Sequence, residues 1–62
     1  MRQANLAVRH YWSSYTDKPV GIYAASITAK NSNKVIAKTE SEIESVAIAT
    51  VIDEAAERGY SA

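Results

Sequence analysis

The chain has 62 residues, 47% of them hydrophobic, with two glycines, one proline, one histidine and no cysteine, which is room for a single small domain over residues 1–62. A chain of this length buries only about 60% of the surface its unfolded form exposes, so a lone core supplies on the order of 3–5 kcal/mol; disulfides, thiolate zinc and an imidazole cluster are excluded, and a partner chain is the remaining staple. Zero net charge hides a split: +5 as far as Lys38, where six Lys/Arg meet only Asp17, and −5 from Thr39 onward, where six acids meet only Arg58.

Leu6, Val8, His10 and Trp12 alternate with Ala7, Arg9, Tyr11 and Ser13. That period of two is the mark of a half-buried strand, and it predicts a first strand over residues 6–14. Tyr15-Thr16-Asp17-Lys18-Pro19 follows as a turn, because Pro19 removes a backbone donor and disfavours helix at Lys18. Residues 20–30, rich in β-branched and aromatic side chains (Val20, Ile22, Tyr23, Ile27, Thr28), form the second predicted strand. Gly21 near its start leaves space for a bulge or a close neighbour. Asn31-Ser32-Asn33 supplies a hairpin turn, since asparagine tolerates the left-handed conformation. Residues 34–38 return as a short third strand, which completes an antiparallel meander.

The hydrophobic period changes at Thr39. Ser41 with Glu44, or Thr39 with Glu42, has the spacing of a capping box, and a helix over residues 42–58 follows, stopped by Gly59. At about 100° per residue, Ala47, Ile48, Ala49, Val51, Ile52, Ala55 and Ala56 fill an arc of about 200°, opposite Asp53, Glu54 and Glu57, with Arg58 at the helix end. Ile43, Val46 and Thr50 make a second stripe among the charges, read either as an oligomer contact or as scattered surface apolar residues. The expected fold class is α+β: a three-stranded antiparallel meander, then one C-terminal helix packed across a sheet face.

Glu44 is the one acidic side chain that the wheel places inside the apolar arc. A carboxylate there can act as a metal ligand or general base, its proton affinity raised by partial burial, or it can cap the helix by reaching back to a free N–H. His10 and Trp12 share one strand face, with Tyr11 on the other and Tyr15 just beyond; such rings stack on bases or fill a core that lacks phenylalanine. Asp17, in a proline-containing turn, sits where aspartate is usually structural. Arg9, Lys30, Lys34 and Lys38, together with Tyr11 and Tyr15, compose a candidate nucleic-acid-binding region. Zero net charge and the acidic helix would keep that binding weak and salt-dependent. No glycine-rich phosphate loop, nucleophile elbow or paired-histidine motif is present, so no catalytic residue beyond the candidate Glu44, no metal and no cofactor is expected.

Gly21-Ile22-Tyr23-Ala24-Ala25 looks like the second strand, and Glu44-Ser45-Val46-Ala47-Ile48-Ala49 like the start of the first helix, of the ribonuclease H-like fold. Over residues 6–60 the chain resembles the βββα half of that fold, and Glu54-Ala55-Ala56-Glu57-Arg58-Gly59-Tyr60 looks like the family's exit from the helix toward a fourth strand. The resemblance places Glu44 at the family's metal-binding glutamate. It also exposes departures: Trp12-Ser13-Ser14 stands where the family's first catalytic aspartate belongs, and Tyr60-Ser61-Ala62, after the helix, contains no second one. Two-metal hydrolysis needs several carboxylates around ions about 4 Å apart, which one glutamate does not provide. The HicB antitoxin family, whose partial ribonuclease H-like module lacks the nuclease carboxylates, binds a partner and oligomerises, is a second relative that the same residues resemble.

These observations lead to a non-catalytic binding or interaction module that works as a homo-oligomer, a two-fold dimer first, through a strand edge or the helix. A protein partner, the nucleic-acid interface and a metal-dependent nuclease using Glu44 and Asp17 are the alternatives. The longest uncharged apolar run, from Ser45 to Ile52, is far below the roughly 18 residues of a membrane span, and no basic-then-apolar stretch opens the chain. A cytoplasmic protein without membrane contact is therefore expected.

Overall fold

In the computed structural model, which describes residues 2–14 and 17–62, the chain forms β1 (Arg2–Ser13), β2 (Val20–Ala29), β3 (Val35–Ser41), α1 (Glu44–Glu57) and β4 (Tyr60–Ser61). The class is α+β, with one sheet in the order β3-β2-β1-β4 and a single C-terminal helix. β1 and β2 pair antiparallel without a break, from Ala4 opposite Ala29 to Ser13 opposite Val20. β3 adds antiparallel on the far side of β2, with a register irregularity between Ile27 and Thr28. β4 lies parallel to the start of β1, Tyr60 opposite Arg2 and Ser61 opposite Gln3.

The meander of three strands is present, and the sheet carries a fourth. Gly59, at φ 84°, turns the chain out of α1, and its carbonyl accepts from the Arg2 N–H at 3.0 Å. This pairing joins residues far apart in sequence, so local periodicity cannot announce it. β1 begins earlier than residue 6 for the same reason. β3 runs past residue 38, because Thr39, Glu40 and Ser41 pair with Ala25, Ala24 and Tyr23. The would-be helix caps are thereby drawn into the sheet. The capping box does not form: Ile43 occupies the N-cap without a side-chain cap, and Ser41 Oγ accepts from the Ile43 N–H at 3.1 Å. α1 is correspondingly shorter than the predicted 42–58 span.

Two turn expectations hold. Asn33 takes φ 55°, its N–H donating to Ala29 O at 3.1 Å while the Ala29 N–H donates to Lys34 O at 2.8 Å. Gly21 meets a close neighbour and not a bulge: a Cβ there would stand 2.9 Å from His10 Nε2. The irregularity in β2 lies at the other end of the strand, against β3.

α1 lies over β2 and β3. The core is Ala25, Ile27, Ala29, Ala37, Ala47, Val51 and Ala55, five of the seven being alanine, so helix and sheet approach closely but bury little apolar volume. The helix buries a narrow stripe, Ala47, Val51 and Ala55, and not the wide arc: Ile48 is half-buried, while Ala49, Ile52 and Ala56 are exposed. One sheet contact covers one line of residues four apart and leaves the flanks only partly covered among the described residues.

The molecule is elongated, 43 × 19 × 12 Å with a radius of gyration of 12.7 Å, against about 10.5 Å for a compact chain of this length. β3 stops opposite Tyr23. Beyond it the β1–β2 hairpin projects with neither third strand nor helix, tied on the helix side by the His10 ring, whose centroid lies 4.4 Å from that of Tyr23 and 5.5 Å from that of Trp12. Among the described residues no helix is long and apolar enough to cross a membrane.

Candidate interaction surface

Cross-strand partners share a sheet face, so the register sorts every side chain of β1. Leu6, Val8, His10 and Trp12 stand opposite Ile27, Ala25, Tyr23 and Gly21 and therefore point to the helix side. Asn5, Ala7, Arg9, Tyr11 and Ser13 point to the other. α1 sits over the neighbouring strands, and on β1 only Ala4 packs against the core; farther along, Leu6 is 39% exposed, Val8 37% and Trp12 69%. The Arg58 Nη1, at the C-cap of α1, donates to Ile36 O on β3 at 3.0 Å and ties the end of the helix to that strand. Leu6, Val8 and Trp12 thus make the helix-side apolar surface of β1, backed by an aromatic stack. Sequence periodicity finds the strand but assigns these residues to a buried face; which strands the helix covers is a tertiary choice.

The candidate nucleic-acid residues divide. Arg9, Tyr11 and Lys38 share the helix-free face, where the rows Arg9-Ala24-Glu40 and Ala7-Ser26-Lys38 run across the three strands. Between them lies a shallow trough of about 250 Å³ floored by Ala7, Ala24 and Ser26. An acid stands among these cations: the Tyr11 hydroxyl donates to Glu40 Oε2. That hydrogen bond, helped by desolvation and by the Glu40 charge and opposed by Arg9, holds the Tyr11 phenol above its ordinary value. Lys30 and Lys34 lie apart, at the β2–β3 hairpin, with Lys30 Nζ donating to Gln3 Oε1 at 3.2 Å. A second cleft of about 550 Å³ opens beside them, lined by Arg2, Gln3, Lys30, Asn31, Ser32 and Tyr60, where Arg2 Nη1 donates to the Tyr60 hydroxyl at 3.3 Å. Tyr15 falls outside the described residues. Arg9, Tyr11 and Lys38 thus come together, with Lys30 beside Gln3 farther along toward the hairpin.

Glu44 opens α1 and is exposed, where the wheel had implied partial burial. Because the helix begins at this residue, its side chain belongs to the first, uncovered turn. Among the described residues no three His, Cys, Asp or Glu side chains cluster closely enough to hold a metal ion, and Asp17 is exposed on the turn before β2. Ile43, Val46 and Thr50 do line up on α1, with Ile43 and Val46 exposed and the Thr50 hydroxyl donating back to Val46 O at 2.8 Å. Comparison of the chain with protein-family models, with curated proteins and with solved structures finds no match.

Proposed function

We propose that this chain is a non-catalytic half-module of the ribonuclease H-like type that acts as a small homo-oligomeric interaction protein. The observation that carries the reading is the uncovered helix-side face of β1, with Leu6, Val8 and Trp12 in water beside a core made mostly of alanine. A thin core and an exposed apolar strand are two sides of one deficit, and a second subunit remedies both. The β4 strand that follows Gly59 supports the topological resemblance, which leads the chain toward a fourth strand at that point. Exposure of Glu44 and the lack of an acidic cluster among the described residues favour binding over hydrolysis. Light scattering over a dilution series tests the reading: a mass above 6.7 kDa that falls on dilution is expected, and a cooperatively folded monomer at every concentration overturns it. Mg²⁺- or Mn²⁺-dependent cleavage of nucleic acid that disappears in Glu44→Gln would instead establish the nuclease.

A further inference from the structure

Among the described residues, β1 has one edge on β2 and the other almost bare. The Arg2 N–H donates to Gly59 O on the β4 side, and Gln3 O accepts from the Lys30 N–H on the β2 side. The register then runs unbroken to Ser13, so main-chain groups of even-numbered residues face away from β2. β4 takes up only the first of them. The N–H and C=O groups of Leu6, Val8, His10 and Trp12 form an open ladder along the stretch from Asn5 to Ser13.

Exposed edges in stable monomers are guarded by proline, a bulge, lysine or an inward charge. This stretch has no proline and no bulge, and Arg9 is its only Lys, Arg, Asp or Glu. An open ladder with the apolar set on one face and a near-neutral set on the other is self-complementary when it is paired antiparallel about a two-fold axis.

Resting on the oligomeric reading above, we infer that the partner is a second copy of this chain, joined β1 to β1 in antiparallel register with the axis close to Arg9. Pairing the whole open stretch sets Asn5 opposite the partner's Ser13, Leu6 opposite the partner's Trp12 and Val8 opposite the partner's His10. Even-numbered residues then meet as hydrogen-bonded pairs, as their outward main-chain groups require. The sheet becomes continuous across the axis, and each indole lies on the other copy's Leu6. β4 sets the limit at one end, since it occupies the edge at Arg2 and Gln3.

The strip is about 30 Å long and, at about 15 Å across, buries roughly 900 Å² over both copies, just under the ~1,000 Å² of a lasting interface. The dimer is consequently concentration-dependent, with dissociation in the micromolar range or weaker. The second stripe of the helix, Ile43, Val46 and Thr50, faces elsewhere and is left free.

The chain has no cysteine, so a single introduced thiol reports its own symmetry mate. Arg9→Cys, whose site on the axis falls in a narrow pair with Cα atoms about 4.5 Å apart, is expected to form a disulfide dimer under mild oxidation, and Val46→Cys is not. Val8→Pro removes only an outward N–H and Val8→Lys adds an edge charge; each should return the mass to that of the monomer while circular dichroism stays that of the parent. If the parent is a monomer up to about 1 mM, the oligomeric reading fails and this inference with it. If the parent is a dimer but Val46→Cys cross-links while Arg9→Cys does not, or folded Val8→Lys and Val8→Pro remain dimeric, the edge assignment alone is overturned.

Discussion

Ile27→Ala is the most direct test of the core. Ile27 is fully buried toward the C-terminal end of β2, facing α1, with Leu6 opposite it on β1 and Ala37 opposite it on β3. Removing three carbons costs about 2–2.5 kcal/mol in transfer free energy at about 0.8 kcal/mol per methylene. A residual cavity of several tens of Å³ adds about 1–2 kcal/mol, because the alanines around it carry no side chain that could swing into the space. The sum, about 3–4 kcal/mol, equals most of what a core of this size supplies. The variant should be largely unfolded at 25 °C, whereas Ile27→Val, at about 0.5–1.5 kcal/mol, should remain folded. Ile43→Ala, at a position 58% exposed, should change stability by less than about 0.5 kcal/mol. Urea titrations followed by far-UV circular dichroism at one fixed protein concentration give the comparison, since association shifts apparent stability. Trp12 fluorescence is a poor reporter here, the indole being 69% exposed at a distance from the helix. An Ile27→Ala midpoint within about 0.5 kcal/mol of the parent would refute the packing of α1 on β2.

Other outcomes follow from single contacts. Gly21→Val should displace the His10 imidazole, which lies 2.9 Å from the new Cβ, and NMR should show the His10 ring protons losing the ring-current shift caused by Tyr23; unchanged shifts would contradict the stack. Asn33→Val should cost about 1–2 kcal/mol at φ 55°, while Asn33→Gly should be neutral or stabilising, and equal effects of the two would place the residue outside the left-handed region. Because Glu40 raises the folded-state pKa of Tyr11, this pair contributes stability that is fully present below the unfolded phenol value of about 10 and is lost as pH rises through the higher folded value. Tyr11→Phe should therefore flatten the alkaline limb of the stability–pH profile, and a limb of unchanged steepness would assign that loss to other groups.

The local elements were legible in the residues. Alternation from Leu6 to Ser13, the β-branched run after Pro19, the asparagine turn with its left-handed Asn33, and the change of period before α1 each arise from interactions within a few residues, which a linear pattern records. The close approach at Gly21 belongs with them, because a missing Cβ signals a neighbour even when that neighbour is unknown. Other features needed the assembled sheet. Thr39 and Ser41 have the chemistry of helix caps and also the β-branched or hydroxyl character of strand residues. The ladder with Ala25 and Tyr23 settled that competition, and the capping box and the early helix start were lost with it.

β4 exists only because Gly59 brings Tyr60 alongside Arg2, a contact between residues that no window along the chain contains. The same holds for the surface on which the functional proposal stands. Period and composition marked Leu6, Val8 and Trp12 as one apolar face, and by themselves they implied burial. Whether that face is covered depends on which strands a helix of fourteen residues lies across. Ala25, Ala37, Ala47 and Ala55 let α1 settle closely on β2 and β3, and a single helix about 10 Å wide spans about two strands at about 4.8 Å spacing. β1, the third strand, meets this core only at Ala4, and its length from Leu6 onward stays outside the helix's reach.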